Sequence, residues 1–297
     1  MTSNPFLKRY EQLGWKADPA IRTTPALRVN TLVASAEIIG KRLTDKGVRL
    51  EKIPFVRDGF FIRKASFSLG ATPEYLRGQF YLQDAAAQIP VEVLAPEPGE
   101  MILDCCAAPG GKTTQMAALM KNEGVIISFE KNTNRIASLR TNLERCGVSN
   151  VIVYNDDAGT AAKLGIRFDK VLLDAPCAGN FASDKDWFDK RTLEDVKRNN
   201  DIQRRLLQSA AAVLKPGGVL VYSTCSLEPE ENEMMIDWAL KQLPLKVVDT
   251  GLPKSLGVPG LVSPFGKRLD ESIALTRRLW PEGQHEGFFI AKLVKHG

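Results

Sequence analysis

Two cysteines stand where a nucleophile would stand. Cys177 follows an apolar run in LLDAPCAGN (172–180), and Cys225 follows another in VLVYSTCSLEPEENE (219–233). Each falls in a polar turn after a strand-like segment rather than inside one. A thiol so placed becomes nucleophilic when nearby charge or a helix terminus lowers its pKa. The bland alternative is two turn cysteines with no role, and Cys105, Cys106 and Cys146 read as small apolar filler. The five cysteines contain no CxxC pair, so neither a disulfide framework nor a zinc knuckle is indicated. With only His285 and His296, a histidine triad or metal cluster is not expected either.

The second chemical feature is MILDCCAAPGGKTTQMAALM (101–120). An apolar strand runs to Asp104, a small-residue turn spans Ala107–Gly111, and a helix starts near Lys112. Glycines there let the backbone approach a ligand, and the helix start offers free N–H groups. Gly111-Lys112-Thr113 matches the end of a phosphate loop, but Cys106 stands where that loop needs its first glycine. The dinucleotide fingerprint Gly-x-Gly-x-x-Gly is also missing. Glu130 ends the next strand-like run, at the place where an acidic residue hydrogen-bonds both hydroxyls of an adenosine ribose. Asn155-Asp156-Asp157 ends the third, placed to meet an adenine amino group, and Asp174 ends the fourth. One such carboxylate is usually a cap or turn residue. Four in register at one sheet edge need another explanation.

The elements that must position these groups are legible as strand–helix alternation. Strands are predicted at 101–104, 125–130, 151–155, 170–174, 219–223 and 287–294, with the clearest helix at 201–214. That pattern predicts a doubly wound α/β domain, a Rossmann-like parallel sheet with helices on both faces. Ahead of it, residues 1–80 read as a small α+β domain, with strands at 26–32 and 59–62 and a helix at 36–43. The boundary is placed near Gly78, leaving 81–297 as the catalytic domain. Residues 1–80 hold 14 Lys+Arg against 7 Asp+Glu, whereas the rest hold 26 against 28. Lys41, Arg42, Lys46, Arg49, Lys52, Arg57, Arg63 and Lys64 form a solvated face at least, and in the sharper reading a polyanion-binding surface. The chain's 297 residues, 44% hydrophobic and 25% charged, are those of a globular protein. No apolar run is long enough to span a membrane, and MTSNPFLKRYEQLGW is not a secretory signal, so a cytoplasmic protein is expected. A monomer is the default.

Together these segments resemble the Sun (nucleolar-protein/Sun) family of RNA cytosine-5 methyltransferases. The resemblance is carried by GQFYLQDAAAQIP (78–90), CAAPGGKTTQ (106–115), Glu130, LLDAPCAGN (172–180), LKPGGVLVYSTCSLEPEENE (214–233) and EGFFIAKL (286–293), and ALRVNTL (26–32) resembles a further family segment. DAPC with TCS is its most specific part. Ala178 departs from the serine usual there.

The resemblance implies S-adenosylmethionine held by Cys106, Ala107, Ala108, Pro109, Gly110, Gly111 and Lys112, with Glu130, Arg135, Asp157 and Asp174. Asp157 is preferred to Asp156 on the Asp-Ala pair at 157–158. It implies Cys225 as the nucleophile, Cys177 as the group that assists product release, and an RNA partner, with tRNA favoured and ribosomal RNA second. Attack on carbon 6 of cytosine would make carbon 5 able to take a methyl group. Asp174 would stabilise the adduct near ring nitrogen 3, and Lys112 would orient the base or lower a thiol pKa. The target base must be unstacked. DNA cytosine-5 enzymes would use the Pro-Cys turn, hence Cys177, and amino-group enzymes an Asp/Asn-Pro-Pro-aromatic turn. Rival readings are a phosphate-loop NTPase and a non-catalytic RNA-binding or ribosome-assembly protein.

Overall fold

The computed structural model describes residues 4–297. Helix α1 (Pro5–Gln12) is capped by Asn4, which accepts the Phe6 N–H at 2.9 Å, and begins on a proline whose missing N–H costs nothing there. Then come β1 (Ala26–Val29), α2 (Ala36–Asp45), β2 (Arg49–Lys52), β3 (Gly59–Lys64), α3 (Pro73–Leu76) and β4 (Phe80–Leu82). The four strands form an antiparallel sheet in the order β2-β3-β1-β4. Leu27, Val29, Phe80 and the α2 residues Ile39 and Leu43 share its core. The predicted strand at 26–32 ends at Val29. The Asn30 backbone N–H still donates to the Gln79 carbonyl at 2.9 Å, while its side-chain amide donates to the carbonyls of Gly78 and Cys146, each at 2.8 Å. Gly78 has φ +66°, and a Cβ there would lie 1.8 Å from the Arg145 carbonyl oxygen, so only glycine fits this junction. The sheet runs two residues past the boundary expected at 80.

The larger unit contains α4 (Ile89–Leu94), β5 (Met101–Asp104), α5 (Gly111–Leu119), β6 (Val125–Phe129), α6 (Thr133–Arg145), β7 (Val151–Tyr154) and β8 (Phe168–Asp174). After these follow α7 (Trp187–Lys190), α8 (Leu193–Val213), β9 (Leu214–Thr224), α9 (Glu233–Gln242), β10 (Leu245–Val248), β11 (Val258–Pro259), β12 (Arg277–Leu279) and β13 (Phe288–Lys295). The sheet order is β11-β12-β13-β9-β8-β5-β6-β7, with β10 also on β13. Strands β5 to β9 are parallel, and apolar clusters cover both faces of the sheet. The chain winds outward from β5 to β7 and returns to β8 on the other side of β5, which makes the β5/β8 gap the switch point where ligands bind.

Two details differ from the sequence reading. The final strand, β13, is antiparallel to β9, as are β10 and β12 to β13, so the sheet is mixed. A continuous apolar run such as FFIAKL carries no information on direction. Helix α8 begins eight residues before the predicted 201, because Thr192 and Asp195 form a capping box ahead of a polar first half. Apolar periodicity sees only the second half. Among the described residues no helix is long and apolar enough to cross a membrane.

Candidate active site

Parallel pairing of β8 with β9 sets Asp174 opposite Ser223. The chain therefore leaves both strands at the same sheet edge, and the two turns bring the Sγ atoms of Cys177 and Cys225 to 3.3 Å. Ser223 donates to Asp174 Oδ1 at 2.7 Å, and Lys112 from the first turn of α5 donates to Oδ2 at 2.6 Å. Burial pulls the Lys112 ammonium down, but the ion pair with Asp174 holds it above its ordinary value. The Cys225 thiol is pushed well up, first by its hydrogen bond with Cys177, then by burial and by the charge of Cys177, Glu286 and Asp174. Lys112, expected to lower a thiol pKa, has Asp174 as its hydrogen-bonded partner, and the shift at Cys225 remains upward. The contact with Cys177 and burial both favour the protonated form of Cys225.

The 106–112 loop divides its residues between two cavities. Cys106 and Ala108 line a cavity of about 610 Å³ together with Glu130, Arg135, Asp157, Asp174, Cys177 and Cys225. Ala107, Pro109, Gly111 and Lys112 line a smaller one of about 180 Å³, shared with Cys106, Ala108, Asp174 and the β4 segment Tyr81–Gln83. Gly110 lines neither of these two; it supplies φ +104° at the N-cap of α5. A Cβ on Gly111 would meet Tyr81 and Gln83 at 3.3–3.4 Å, so this glycine serves the close approach of the small domain as well as a ligand. Arg28 of β1 fixes that approach. Its buried guanidinium donates to the Gly111 carbonyl (2.8 Å), Thr114 Oγ1 (2.8 Å), Gln83 Oε1 (2.6 Å) and Gln115 Oε1 (3.2 Å). Burial without a carboxylate partner lowers its pKa to about 10.

At the far end of the larger cavity, Glu130 accepts the Asn132 N–H at 2.8 Å and lies 3.3 Å from Arg135, which also donates to the Ala108 carbonyl. Asp157 accepts a two-pronged contact from Arg205 at 2.6 and 2.8 Å, with Lys131 at 3.3 Å. Arg205 is the main reason its carboxyl is held far below the usual range. Asp157 lines the cavity; Asp156 is exposed and holds Thr160. Beneath the loop, Asp104 is fully buried against Thr113 Oγ1 at 2.7 Å, and burial raises its carboxyl to about 6.

What the motif reading missed is the work of LEPEENE after Cys225. Glu228, Glu231, Asn232 and Glu233 are completely buried, and each acidic or amide side chain ties down a different part of the molecule. Glu228 and Glu230 hold Arg9, which fastens α1. Helix α1 accordingly packs Phe6 and Tyr10 with Ala178, Phe181, Trp187 and Trp280, not in the small sheet's core. Asn232 accepts from Thr224 Oγ1 at 2.5 Å and donates to the Ser226 carbonyl at 2.8 Å, bracketing Cys225. Glu233 forms a fully buried pair with Arg278 of β12. A run of four acids in six residues reads as a solvated face by composition; its only distinguishing signal is its place directly after TCS. Glu286, beside β13, is a second missed group: burial and Asp84 push its carboxyl up, and it faces Lys112, Asp174 and Cys225 electrostatically.

Residues 91–294 match the family model described as 16S rRNA methyltransferase RsmB/F, and 5–85 match the N-terminal domain of 16S rRNA methyltransferase RsmF. The chain is similar to the tRNA (cytosine(49)-C(5))-methyltransferase of Pyrococcus abyssi, with 38% identity over 91% of this chain and 88% of that protein. It is 42% identical to the human 28S rRNA (cytosine(4447)-C(5))-methyltransferase over 91% of this chain but 34% of the relative. The first curated relatives are much longer: the chain spans 34–46% of their length. Among solved structures, a methyltransferase homolog protein from Pyrococcus horikoshii superposes with TM-score 0.86 at 40% identity, covering 99% of both chains. NSun6 from the same organism, solved with SFG, gives TM-score 0.82 at 26% identity over 94% of this chain and 93% of that one. On these matches the chain belongs to the RsmB/F methyltransferase family.

Proposed function

We propose that the protein transfers a methyl group from S-adenosylmethionine to carbon 5 of a cytosine in RNA, through a covalent bond to Cys225. The observation that carries this reading is the pair of thiols 3.3 Å apart in the wall of the 610 Å³ cavity, beside the Lys112–Asp174 ion pair. The cavity suits the donor. Glu130 and Asp157 offer carboxylates to the ribose hydroxyls and the adenine amino group. Asp174 lines the cavity and Asp104 lies buried beneath its loop, negative charge that suits a cationic sulfonium, and Cys106 and Ala108 supply an apolar wall. Bound there, S-adenosylmethionine supplies an electrophilic methyl group.

The protein's own residues do the rest. Cys225 gives up its proton as its sulfur adds to carbon 6 of the ring, and Asp174 carries a proton to ring nitrogen 3, which makes carbon 5 electron-rich. Lys112 keeps Asp174 in place and neutralises its charge between turnovers. Once carbon 5 is methylated, Cys177 as its thiolate takes the proton from that carbon, the ring double bond re-forms as Cys225 leaves as a thiolate, and ring nitrogen 3 returns its proton to Asp174. The exposed, positively charged Lys41, Arg42, Arg49, Lys52 and Lys64 of the small domain form no ion pair among the described residues, which supports an RNA-facing surface.

tRNA is the favoured substrate, supported by the Pyrococcus abyssi relative that matches over most of its length. Ribosomal RNA is the second reading, favoured by the RsmB/F and RsmF family models. The test is transfer from labelled S-adenosylmethionine into tRNA and, separately, ribosomal RNA, analysed as 5-methylcytosine. Cys225→Ala should abolish transfer, and Cys177→Ala should trap a protein–RNA adduct on denaturing gels. Donor binding with no label in either pool would sink the proposal and favour a scaffold.

A further inference from the structure

We propose that Glu231 is a positioning residue that sets the separation of the two thiols. This rests on the two-thiol reading above but has its own geometric basis. Cys177 lies between Pro176 and Ala178, and both flanks are held by one buried network. The Ala178 N–H donates to the two Glu231 carboxylate oxygens at 3.1 and 3.2 Å. The Pro176 carbonyl accepts from Gln203 Nε2 at 2.9 Å, and the same amide reaches Glu231 at 3.2 Å. Asn199 Nδ2 adds a contact to Glu231 at 2.9 Å, so two residues of α8 brace the carboxylate. The other end of the clamp is short: Glu231 stands six residues after Cys225, and its own carbonyl accepts from Tyr222 Oη at 2.6 Å. The network thus joins the turn of one cysteine to the segment of the other. Every side-chain partner is a neutral donor, so the carboxylate acts as a multiple acceptor and not as half of an ion pair.

A catalytic cycle that moves a proton to Cys177 while Cys225 is bonded to the base needs the two sulfurs at a fixed spacing. The clamp supplies it from outside the reacting atoms. Loss of a buried acceptor that holds several donors is costly, whereas glutamine keeps one oxygen for them and loses less.

The experiment compares wild type, Glu231→Ala, Glu231→Gln and Gln203→Ala. Diamide, a diazene dicarboxamide oxidant, probes the spacing directly. The two thiols lose two protons and two electrons to form a disulfide, and the diazene is reduced to the hydrazine. Mass spectrometry follows the Cys177–Cys225 pair. Loss of the clamp in Glu231→Ala should slow pairing by about tenfold, with glutamine restoring most of the rate and Gln203→Ala lying between. Donor Kd should stay within about twofold of wild type, because Glu231 lies off the donor cavity, and adduct on RNA should accumulate as in Cys177→Ala. Unchanged pairing and unchanged adduct in Glu231→Ala overturn the proposal, and Gln203→Ala decides in the same way if Glu231→Ala does not fold. Slower pairing with no methylation by wild type leaves the clamp standing and removes the two-thiol function.

Discussion

The two ends of the crevice are built on opposite principles. At the thiol end, buried Ser223 and Glu231 and the largely shielded Lys112 and Asp174, 14% and 27% exposed, meet across distant parts of the chain, and Lys112 is the less exposed partner of its ion pair. At the other end, Glu130 and Asp157 are held by cations that solvent reaches: Arg135 is 50% exposed, Arg205 45% and Lys131 77%. The buried end is preorganised, and disturbing it leaves charges stranded. The open end can exchange partners at little cost, because exposed ion pairs contribute little. Chemistry needs fixed atoms, and a cofactor that comes and goes needs replaceable contacts.

Lys112→Met breaks the first half of the comparison most severely. Asp174 would keep only Ser223 as a partner, as a half-buried carboxylate with no counter-charge. We expect methyl transfer to fall by about 100- to 1,000-fold, the scale of removing one preorganised charge partner, while donor Kd moves far less. Equal losses in both would place the lysine in donor binding instead. Glu130→Ala attacks the open end: donor Kd should rise about 30- to 100-fold with transfer at saturating donor largely preserved, as measured by calorimetry and single-turnover assay.

The same division explains what could be read in advance. Strand ends are set by apolar runs and turn residues, so Asp104, Glu130, Asp157 and Asp174 were visible as one edge, and Cys177 and Cys225 with them. The Glu231 clamp was not, because its partners Ala178, Asn199 and Gln203 are ordinary residues brought together only when α8 lies along the sheet. The docking of α1 was hidden for the same reason: its amphipathic pattern says which face is buried, not against what. Nor does sequence tell that Arg28 is buried; it counts toward the small domain's basic excess, yet it bolts the two units together.

A change of pH separates the buried end from the open one. Asp104 has its carboxyl raised to about 6 by burial, above the ordinary 3.8. The folded protein therefore holds that proton more tightly than the unfolded chain. The stability it lends is complete below 3.8 and is lost as pH rises through about 6. Glu231, raised to about 7 by burial, acts in the same sense, whereas Asp157, held low by Arg205, contributes stability that is lost only in acid. The thermal midpoint should be higher at pH 5 than at pH 7.5. Donor binding should run the other way, because the cationic donor favours the ionised Asp104. Its Kd should weaken by up to about tenfold between pH 7 and 5, and a donor product without the positive sulfonium should show a smaller change. A flat profile for both ligands would remove Asp104 from the donor's electrostatics.

The smallest effect has the most informative sign. Asp157 can serve an adenine amino group only with oxygens that Arg205 now occupies from two sides. Asp157→Ala should weaken donor binding. Arg205→Ala should do the reverse and tighten it, by no more than about fivefold, since a half-exposed pair is worth little and Lys131 stays within reach of the freed carboxylate. Opposite signs from the two partners of one salt bridge would mean that the pair competes with the ligand. If both substitutions weaken binding alike, Arg205 holds Asp157 in its working orientation, and the open end of the crevice is as preorganised as the buried one.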